Sequence, residues 1–393
     1  MLEKRGIQAA PVRGRRVLVR VDFNVPQDAQ GQVADDRRIQ EALPTLNHLR
    51  AAGARTILMS HLGRPDGQRD MRYTLRPIVH RLSAVLGQSV AMAEDAVGMR
   101  TLEMATRLKN GEFLMLENLR FHAGEEANDP AFASQLAQVG ELFVEEAFGS
   151  LHRAHASTVG VPRHLPSFAG LLVQREVREL SRLVDAPSHP YVVLVGGAKV
   201  ADKLPLLTSF LGRADGLLIG GALSFPFLKA TGASLGATAV DRELESDVQA
   251  FLQKAKASGT TVQLPEDVVV ERPGKSDPET AALGSIPKDG VIRDIGPATR
   301  GRFAATLQRA QLVFWNGPMG LAEDPRYAAG TREVLAALAQ GSGYHVAAGG
   351  DSARIANDLG VTNAFQYVST GGGAALDFVR GADLPGLSIL PDA

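Results

Sequence analysis

The chain of 393 residues contains no cysteine, one tryptophan, and only nine lysines beside 33 arginines. The lack of cysteine excludes disulfides, thiolate metal sites and a cysteine nucleophile. An excess of either charge is also missing, since the net charge is −1, which argues against a general binder of nucleic acid or of membrane surfaces. No apolar run reaches the ~18 residues of a membrane span, and the charged N-terminus lacks the apolar stretch of a secretory signal. We therefore expect a cytoplasmic protein.

Apolar β-type runs alternate with short loops and helical stretches along the whole sequence, which is typical of parallel βαβ units. The length suits two domains of roughly 150–200 residues. We therefore predict two doubly wound parallel-sheet (Rossmann-like) domains joined by an interdomain helix and hinge. The predicted strands are Arg16–Val21, Arg55–Ser60, Glu112–Leu116 and Glu141–Val144, then Tyr191–Val195, Gly216–Ile219, Thr261–Leu264, Leu312–Trp315, Tyr344–Ala348 and Phe365–Val368. The predicted helices include Leu75–Leu86, Ala131–Gln138 and the interdomain stretch Leu171–Val184, which stops before Pro187.

Arginines follow the predicted strands of the first half. Arg64, Arg120 and Arg153 each come a few residues after a strand, and Arg38 lies in a further basic segment. Because the carboxyl ends of parallel strands meet at one edge, these guanidinium groups would form a site for a small polyanion. Alternatively, each arginine pairs with a nearby acid, such as Asp36, Glu117 or Glu146. Asp22 and Asn24, just after the first strand, would suit a hydroxyl-bearing substrate.

His152 and His155 stand at a spacing that metal ligands on a helix can have. Since the sequence offers no cysteine and no obvious third ligand, a zinc-type site is the less favoured interpretation.

Glycine-rich turns follow the predicted strands of the second half, and helical patterns come after them. Glycine lets a phosphate or a ring approach the backbone, and helix N-termini present free N–H groups to anions. A single glycine pair would indicate only a tight turn, but five on one sheet edge indicate a nucleotide site. The P-loop and the strand-linked GxGxxG fingerprints are both absent. The turns are Gly196-Gly197, Gly220-Gly221, Asn316-Gly317, Gly349-Gly350 and Gly371–Gly373.

Three charged residues near these turns suggest a bound polyphosphate. Lys199 and Lys203 are one turn apart at a predicted helix start, where lysine opposes the helix dipole unless an anion is bound. Asp351 opens another predicted helix, either as an N-cap or as a ligand of Mg²⁺, which prefers one or two carboxylates together with phosphate oxygens.

Eight motifs occur in the order and spacing of the phosphoglycerate kinase family, and the chain resembles that family over nearly its whole length. The motifs are RVDFNVP, SHLGRP, LENLRF, AFGSLHRAHAS, GGAKVADK, WNGPMG, GGDS and STGGGA. The resemblance implies the reaction 1,3-bisphosphoglycerate + ADP ⇌ 3-phosphoglycerate + ATP with Mg²⁺, in a monomer whose partners are these small molecules and neither nucleic acid nor membrane. It also implies a phosphoglycerate-binding domain of residues 1–170 with the tail 378–393, an interdomain helix of residues 171–186, and a nucleotide-binding domain of residues 187–377.

The resemblance assigns roles to individual residues. Arg38, Lys199, Gly350 and Gly373 are expected to serve catalysis, and Asp351 to bind the metal. The expected substrate-binding residues are Asp22, Phe23, Asn24, Arg38, His61, Leu62, Gly63, Arg64, Arg120 and Arg153. The expected nucleotide-binding residues are Gly197, Ala198, Lys199, Lys203, Gly221, Asn316, Pro318, Glu323, Gly349, Gly350, Asp351 and Ser352. Both attacking groups are anionic at pH 7, so positioning and cationic stabilisation after domain closure are needed, and a general base is not.

Some positions depart from the usual family pattern without removing a matched contact residue. They are Glu145-Glu146, Ser150-Leu151, Ala348, Ala375 and Asp377. Glu145, Glu146 and Ala375 lie near the expected hinge, so we expect them to affect the energetics of closure and not the activity itself. The alternatives are a kinase of a different phospho-acid and a nucleotide-binding homologue without catalysis. The first would need a different set of arginines, and the second would be expected to lack Lys199, Arg38 or Asp351, all of which are present.

Overall fold

The computed structural model describes residues 3–241 and 243–393, which form two compact units. The first unit extends to Arg178 and includes Asp383–Ala393, and the second comprises Glu179–Ala382. Within the described residues, no helix is long and apolar enough to cross a membrane.

The first unit contains a six-stranded sheet in which all neighbouring strands are parallel. Its strands are β1 (Arg16–Arg20), β2 (Arg55–Met59), β3 (Val90–Met92), β4 (Phe113–Met115), β5 (Leu142–Glu145) and β6 (Ser167–Ala169). The order is β3-β4-β2-β1-β5-β6. Most residues within the strands are apolar because both faces of the sheet are buried, and charged residues such as Arg20 and Glu145 stand at strand ends. The strand order reverses between β1 and β5, which is where such sheets bind ligands.

The second unit contains another six-stranded parallel sheet and a smaller antiparallel one. Its strands are β7 (Tyr191–Val195), β8 (Gly216–Ile219), β9 (Thr261–Gln263), β10 (Asp267–Glu271), β11 (Glu279–Ala282), β12 (Val291–Ile295), β13 (Leu312–Asn316), β14 (Tyr344–Ala347) and β15 (Tyr367–Val368). The parallel sheet has the order β15-β14-β13-β7-β8-β9 and reverses between β7 and β13. The antiparallel sheet has the order β11-β10-β12.

The helices cover both sheets and bury their apolar sides against them. They are α1 (Arg37–Ala51), α2 (Arg76–Leu86), α3 (Met99–Arg107), α4 (Ala123–Glu126), α5 (Pro130–Ala137), α6 (Leu171–Ser181), α7 (Val200–Ser209), α8 (Ser224–Ala230), α9 (Glu245–Ser258), α10 (Pro297–Gln308), α11 (Ala329–Leu338), α12 (Gly350–Asp358), α13 (Gly373–Val379) and α14 (Pro385–Ser388). Local signals set several ends: Asp129 caps α5 by accepting from Phe132 N, with proline at the first position of the helix. Helix α6 contains the boundary between the units.

The predicted fold of two parallel α/β units is confirmed, and the bounds of the predicted strands hold to within about two residues. The antiparallel sheet and the short strands β3 and β6 were not predicted. The apolar runs of β10 to β12 are short and interrupted or bounded by charged residues, and β3 and β6 have only three residues each. The apolar C-terminal tail is buried on the first unit, where Gly386 N donates to Leu151 O at 3.0 Å.

Candidate functional site

The loop after β1 and the start of α1 meet in the first unit. Arg38 Nη1 donates to Asp22 Oδ2 at 2.8 Å and to Asn24 O at 3.3 Å. Asn24 Oδ1 in turn accepts from Gly63 N, in the loop after β2, at 3.0 Å. Phe23 is buried and its N–H donates to Ser60 Oγ at 3.0 Å. The structure therefore joins predicted residues from three segments in one hydrogen-bonded network.

Arg20, the last residue of β1, fixes the protonation of His61. The Arg20 side chain is 1% exposed, and its Nη2 lies 3.0 Å from His61 Nδ1. Because arginine has only donors, Nδ1 must accept, so the ring proton resides on Nε2. Burial, together with the charges of Arg20 and Arg120, lowers the pKa of His61 well below its usual value. His61 is therefore a neutral ring whose Nε2–H is the donor left to a ligand.

Three glutamates are buried beneath this network. Glu125 accepts from Ser157 Oγ at 2.6 Å, and Ser157 Oγ also accepts from Arg20 Nε at 2.8 Å. Glu145 ends β5 opposite Arg20, and burial raises the pKa of its carboxyl to about 8. Glu146 accepts from Leu172 N at the start of α6, and burial raises its pKa well above the usual range. Burial therefore favours the protonated, neutral form of both Glu145 and Glu146.

The three arginines predicted to follow strands are held differently. Arg120 is buried, donates to Gly63 O at 2.7 Å and pairs with Glu126 at 3.0 Å, so it belongs to the network. Arg153 is half-buried, and its Nε donates to His152 Nε2 at 3.2 Å. Arg64 is exposed in the loop after β2, and no hydrogen bond ties it to another residue of the described ranges. Arg64 is thus left to solvent or a ligand.

Two site arginines do pair with acids, Arg38 with Asp22 and Arg120 with Glu126, but the acids named from the sequence have other partners. Asp36 pairs with Arg81 instead of with a site arginine, and the Glu117 carboxylate accepts from Thr74 Oγ1 and Leu75 N. Leu62, a predicted substrate contact, is buried and donates to Asn118 Oδ1 at 3.3 Å. Around His152 and His155, as elsewhere in the described chain, no three potential ligands gather into a metal site.

In the second unit, the turns after β7 and β13 meet where the strand order reverses. Gly196 N donates to Asn316 O at 3.0 Å, and Gly197 N donates to Pro318 O at 2.8 Å. A Cβ added at Gly196 would lie 2.0 Å from Pro318 O, so only glycine permits this approach. The predicted turn residues Gly197, Asn316 and Pro318 are therefore in direct contact.

The two predicted lysines lie beside the junction formed by the turns after β7 and β13. Lys199 is the exposed residue at the N-terminal end of α7. Lys203, one turn later, is half-buried and donates to Gly196 O and, at 3.5 Å, to Asn316 O. Burial lowers the pKa of Lys203 to about 8, and the charge of Asp351 opposes this shift. Lys203 is thus still cationic at neutral pH and close to the carboxylate that was predicted to bind metal.

The turn after β14 is tied to the same junction. Asn316 Nδ2 donates to Ala348 O at 2.7 Å, and Gly317 N donates to Ser352 Oγ at 2.9 Å. Gly349, at φ 102°, is the residue that precedes α12, so the N-cap alternative for Asp351 is wrong. Asp351 is instead the exposed second residue of that helix, and a Cβ added at neighbouring Gly350 would meet no atom within 4 Å. The start of α12 at Gly350 therefore borders open space.

Gly221 and Gly373 occupy the remaining turns. Gly221, at φ 60°, donates from its N–H to Met319 O at 2.9 Å and so joins the turn after β8 to the one after β13. Gly373 is the first residue of α13, and among the described residues no hydrogen bond links it to the turns after β7 and β13. One expectation was wrong: the turn after β13 leads into a long loop and not into a helix, because Leu321 N is held by Arg293 O of β12 at 2.8 Å.

A cavity of about 340 Å³ opens beside these turns in the second unit. Five predicted nucleotide-binding residues line it: Gly197, Ala198, Pro318, Glu323 and Asp351. Sequence reasoning missed its other lining residues, which are Ala222, Phe225, Ile292, Arg293, Gly320, Leu321, Arg354 and Ile355. Gly320 lies within a quoted motif, whereas Ile292 and Arg293 come from the unpredicted antiparallel sheet. Apolar walls with a few charged groups at the edge suit a base with attached phosphates.

The cavity also suits a nucleotide-bound divalent cation. Asp351 presents one exposed carboxylate near the cationic Lys203, and Mg²⁺ is ordinarily held by one or two carboxylates together with substrate phosphate oxygens. The residues present therefore fit that ion as part of a metal–nucleotide complex.

Comparison with known proteins identifies the family of this chain. The family model described as phosphoglycerate kinase matches residues 7–382. A phosphoglycerate kinase of Thermus thermophilus is 48% identical over 382 residues, covering 96% of this chain and 97% of the relative, and one of Coprothermobacter proteolyticus is 43% identical over 99% of both. The solved phosphoglycerate kinases of Coxiella burnetii and Pyrococcus horikoshii superpose with TM-scores of 0.89 and 0.84 at 34% and 31% identity, each covering 98% of both chains. The chain therefore belongs to the phosphoglycerate kinase family.

Proposed function

We propose that this protein is an active phosphoglycerate kinase that transfers a phosphoryl group reversibly from 1,3-bisphosphoglycerate to ADP, in glycolysis and gluconeogenesis. We further propose that it acts as a cytoplasmic monomer. The observation that carries the proposal is that this chain, which matches the family over residues 7–382, has two sites of different chemistry. One is a network of cations at the carboxyl edge of the first sheet, and the other is a glycine-lined cavity at that of the second.

The first unit is proposed to bind the phosphoglycerate. Arg38 and the Asp22–Asn24 segment would hold the glycerate end, where carboxylate and amide groups suit a hydroxyl. The neutral His61 offers one N–H, and Arg64, Arg120 and Arg153 offer planar guanidinium donors to the phosphate that is not transferred. Glu145, whose pKa burial raises to about 8, adds little negative charge to this site at neutral pH.

The second unit is proposed to bind ADP and ATP. The cavity would hold the base, and Glu323 at its edge would contact the ribose. Lys203 and the N-terminal end of α12 would hold the phosphates through cationic and backbone N–H contacts. Asp351 would hold Mg²⁺, whose contribution when bound is to neutralise phosphate charge.

The transfer itself needs no proton. An oxygen of the ADP β-phosphate attacks the phosphorus of the acyl phosphate, the bond from that phosphorus to the carboxyl oxygen breaks, and the carboxylate leaves with the electron pair. The chain's task is to align the two anions, exclude water and stabilise charge on the moving phosphoryl group. Arg38 and Lys199 are the proposed cations for that task, together with N–H groups near Gly350 and Gly373.

The test is ATP formation from 1,3-bisphosphoglycerate and ADP in the presence of Mg²⁺, followed in a coupled assay. Isothermal titration with ADP on the same preparation measures nucleotide binding separately. We expect turnover that requires both substrates. Tight ADP binding without turnover would contradict the proposal and would instead indicate a nucleotide-binding homologue.

A further inference from the structure

A buried carboxyl lies beneath the loop of residues 317–323, which carries part of the nucleotide cavity. Asp294, in β12, is 2% exposed. Its Oδ2 accepts from Gly330 N at 2.6 Å and its Oδ1 accepts from Ile295 N at 2.8 Å. Backbone N–H groups therefore satisfy both oxygens of this carboxyl, one of them from the start of α11.

Two glycines pack directly against the carboxyl of Asp294. A Cβ added at Gly320 would lie 2.2 Å from Asp294 Oδ1, and one added at Gly330 would lie 2.1 Å from the same atom. Neither position has room for a side chain while the carboxyl remains in place. The loop and α11 thus close around Asp294 from two sides.

Two further hydrogen bonds hold the same loop. Leu321 N donates to Arg293 O at 2.8 Å, and Met319 N donates to Thr331 Oγ1 at 2.9 Å. The loop is therefore fixed to β12 and α11 at several points, with the Asp294 carboxyl between them. Pro318 and Glu323, which line the cavity, belong to this loop.

We propose that Asp294 is a positioning residue for the nucleotide: it sets the loop of residues 317–323 against β12 and α11, and thereby places Pro318 and Glu323 in the cavity. The inference rests on the proposed nucleotide site. It implies that loss of the carboxyl weakens binding of ADP and ATP while the phosphoglycerate site, built from the other unit, is unaffected.

The chain contains its own reporter of this loop. Trp315 is the single tryptophan, it is fully buried, and its indole N–H donates to Gly317 O at 2.7 Å. A displacement of the loop changes this hydrogen bond and hence the tryptophan emission spectrum. Fluorescence therefore reports the position of the loop independently of activity.

The chain also offers a matched control. Asp267, in β10 of the same antiparallel sheet, accepts from Ala298 N at 2.9 Å and from Thr299 N at 2.8 Å. A Cβ added at Gly296 would lie 2.3 Å from its carboxyl carbon. Asp267 therefore resembles Asp294 in its contacts, but it holds the start of α10 and not the cavity loop.

The experiment compares Asp294→Asn with Asp267→Asn in the full chain. Asparagine keeps the shape but turns one acceptor into a donor that faces a backbone N–H, so one hydrogen bond is lost. We expect Asp294→Asn to raise the Kd for ADP and the KM for ATP about fivefold or more, the factor that about 1 kcal/mol represents. The KM for 3-phosphoglycerate should stay within about twofold, because the hydrogen bond lost in Asp294→Asn lies in the second unit and the phosphoglycerate site is built from the first. The tryptophan emission should shift. Asp267→Asn should change none of these, although both variants lose stability.

Three outcomes would overturn the inference: unchanged ADP affinity and emission in Asp294→Asn, an equal rise of both KM values, or the same ADP effect in Asp267→Asn. If Asp294→Asn does not fold, Gly320→Ala replaces it, because its methyl group pushes the loop away from the same carboxyl. Wild-type protein that binds ADP without turnover would contradict the proposed function, but the ADP and fluorescence measurements would still decide the role of Asp294.

Discussion

Replacement of Glu145 by glutamine should make the stability of the first unit respond differently to pH. The Glu145 carboxyl is fully buried at the end of β5, its Oε1 accepts from Ala147 N at 2.8 Å, and its Oε2 has no hydrogen-bond partner among the described residues. Burial raises its pKa from 4.5 to about 8, with the charge of Arg20 opposing the shift. Glutamine has nearly the same shape and is neutral at every pH, so it mimics the protonated carboxyl of Glu145 and never the ionised one.

The sign and size of the effect follow from proton linkage. Between pH 4.5 and about 8 the folded protein keeps the Glu145 proton while the unfolded chain releases it, so the wild-type free energy of unfolding falls as pH rises. One pKa unit corresponds to ~1.4 kcal/mol. The stability of Glu145→Gln relative to wild type should therefore increase by ~1 kcal/mol per pH unit between pH 5 and 8, and then level off above about pH 8.

The assay is urea unfolding at several pH values between 5 and 9. Far-UV circular dichroism is the appropriate signal, since the only tryptophan lies in the second unit and does not report on β5. Glu103→Gln, at an exposed position on α3, is the matched control and should show no such trend. A stability difference between Glu145→Gln and wild type that stays constant with pH would refute the reasoning.

Three further expectations concern the proposed site. Arg38→Ala should lower kcat by at least ~10²-fold and leave the Kd for ADP within about twofold. Arg81 is an exposed arginine nearby, and Arg81→Ala should change neither quantity. A near-normal kcat for Arg38→Ala would exclude a catalytic role for Arg38. Lys199→Ala should lower kcat by at least ~10²-fold, the scale for losing one preorganised donor, and a smaller loss in stopped-flow turnover would argue against it. The KM for ADP should rise above about pH 8, where Lys203 loses its proton, and Lys203→Met should abolish that rise; a wild-type profile that is flat to pH 9.5 would contradict this role.

Much of the fold follows from local sequence signals. Runs such as Tyr191–Val195 are apolar at every position because both faces of a parallel sheet are buried, and these strands were predicted to within about two residues. The antiparallel strands β10 to β12 were missed because charged residues such as Arg293 and Asp294 interrupt or bound their short apolar runs. Their contribution to the cavity was missed for the same reason.

The supporting residues of the site could not be predicted because their partners are remote in sequence. Arg20 contacts Ser157 across 137 positions and His61 across 41, and no pattern within β1 indicates either partner. The raised pKa of Glu145 likewise depends on burial by distant segments. Position after a strand end was enough to select Arg120, but not to show that it donates to Gly63 O. Arg38 was selected from a basic segment, and nothing in that segment indicates its pairing with Asp22.

The most direct measurement follows the transferred phosphoryl group itself. 1,3-Bisphosphoglycerate labelled with ³²P in the acyl phosphate is mixed with the protein, Mg²⁺ and ADP, and the products are separated after partial turnover. We predict that the label appears in the γ-phosphate of ATP in equal amount to the 3-phosphoglycerate formed, and that Arg38→Ala slows this transfer at least ~10²-fold. Label found only in inorganic phosphate, or retained in the substrate, would contradict phosphoryl transfer by this protein.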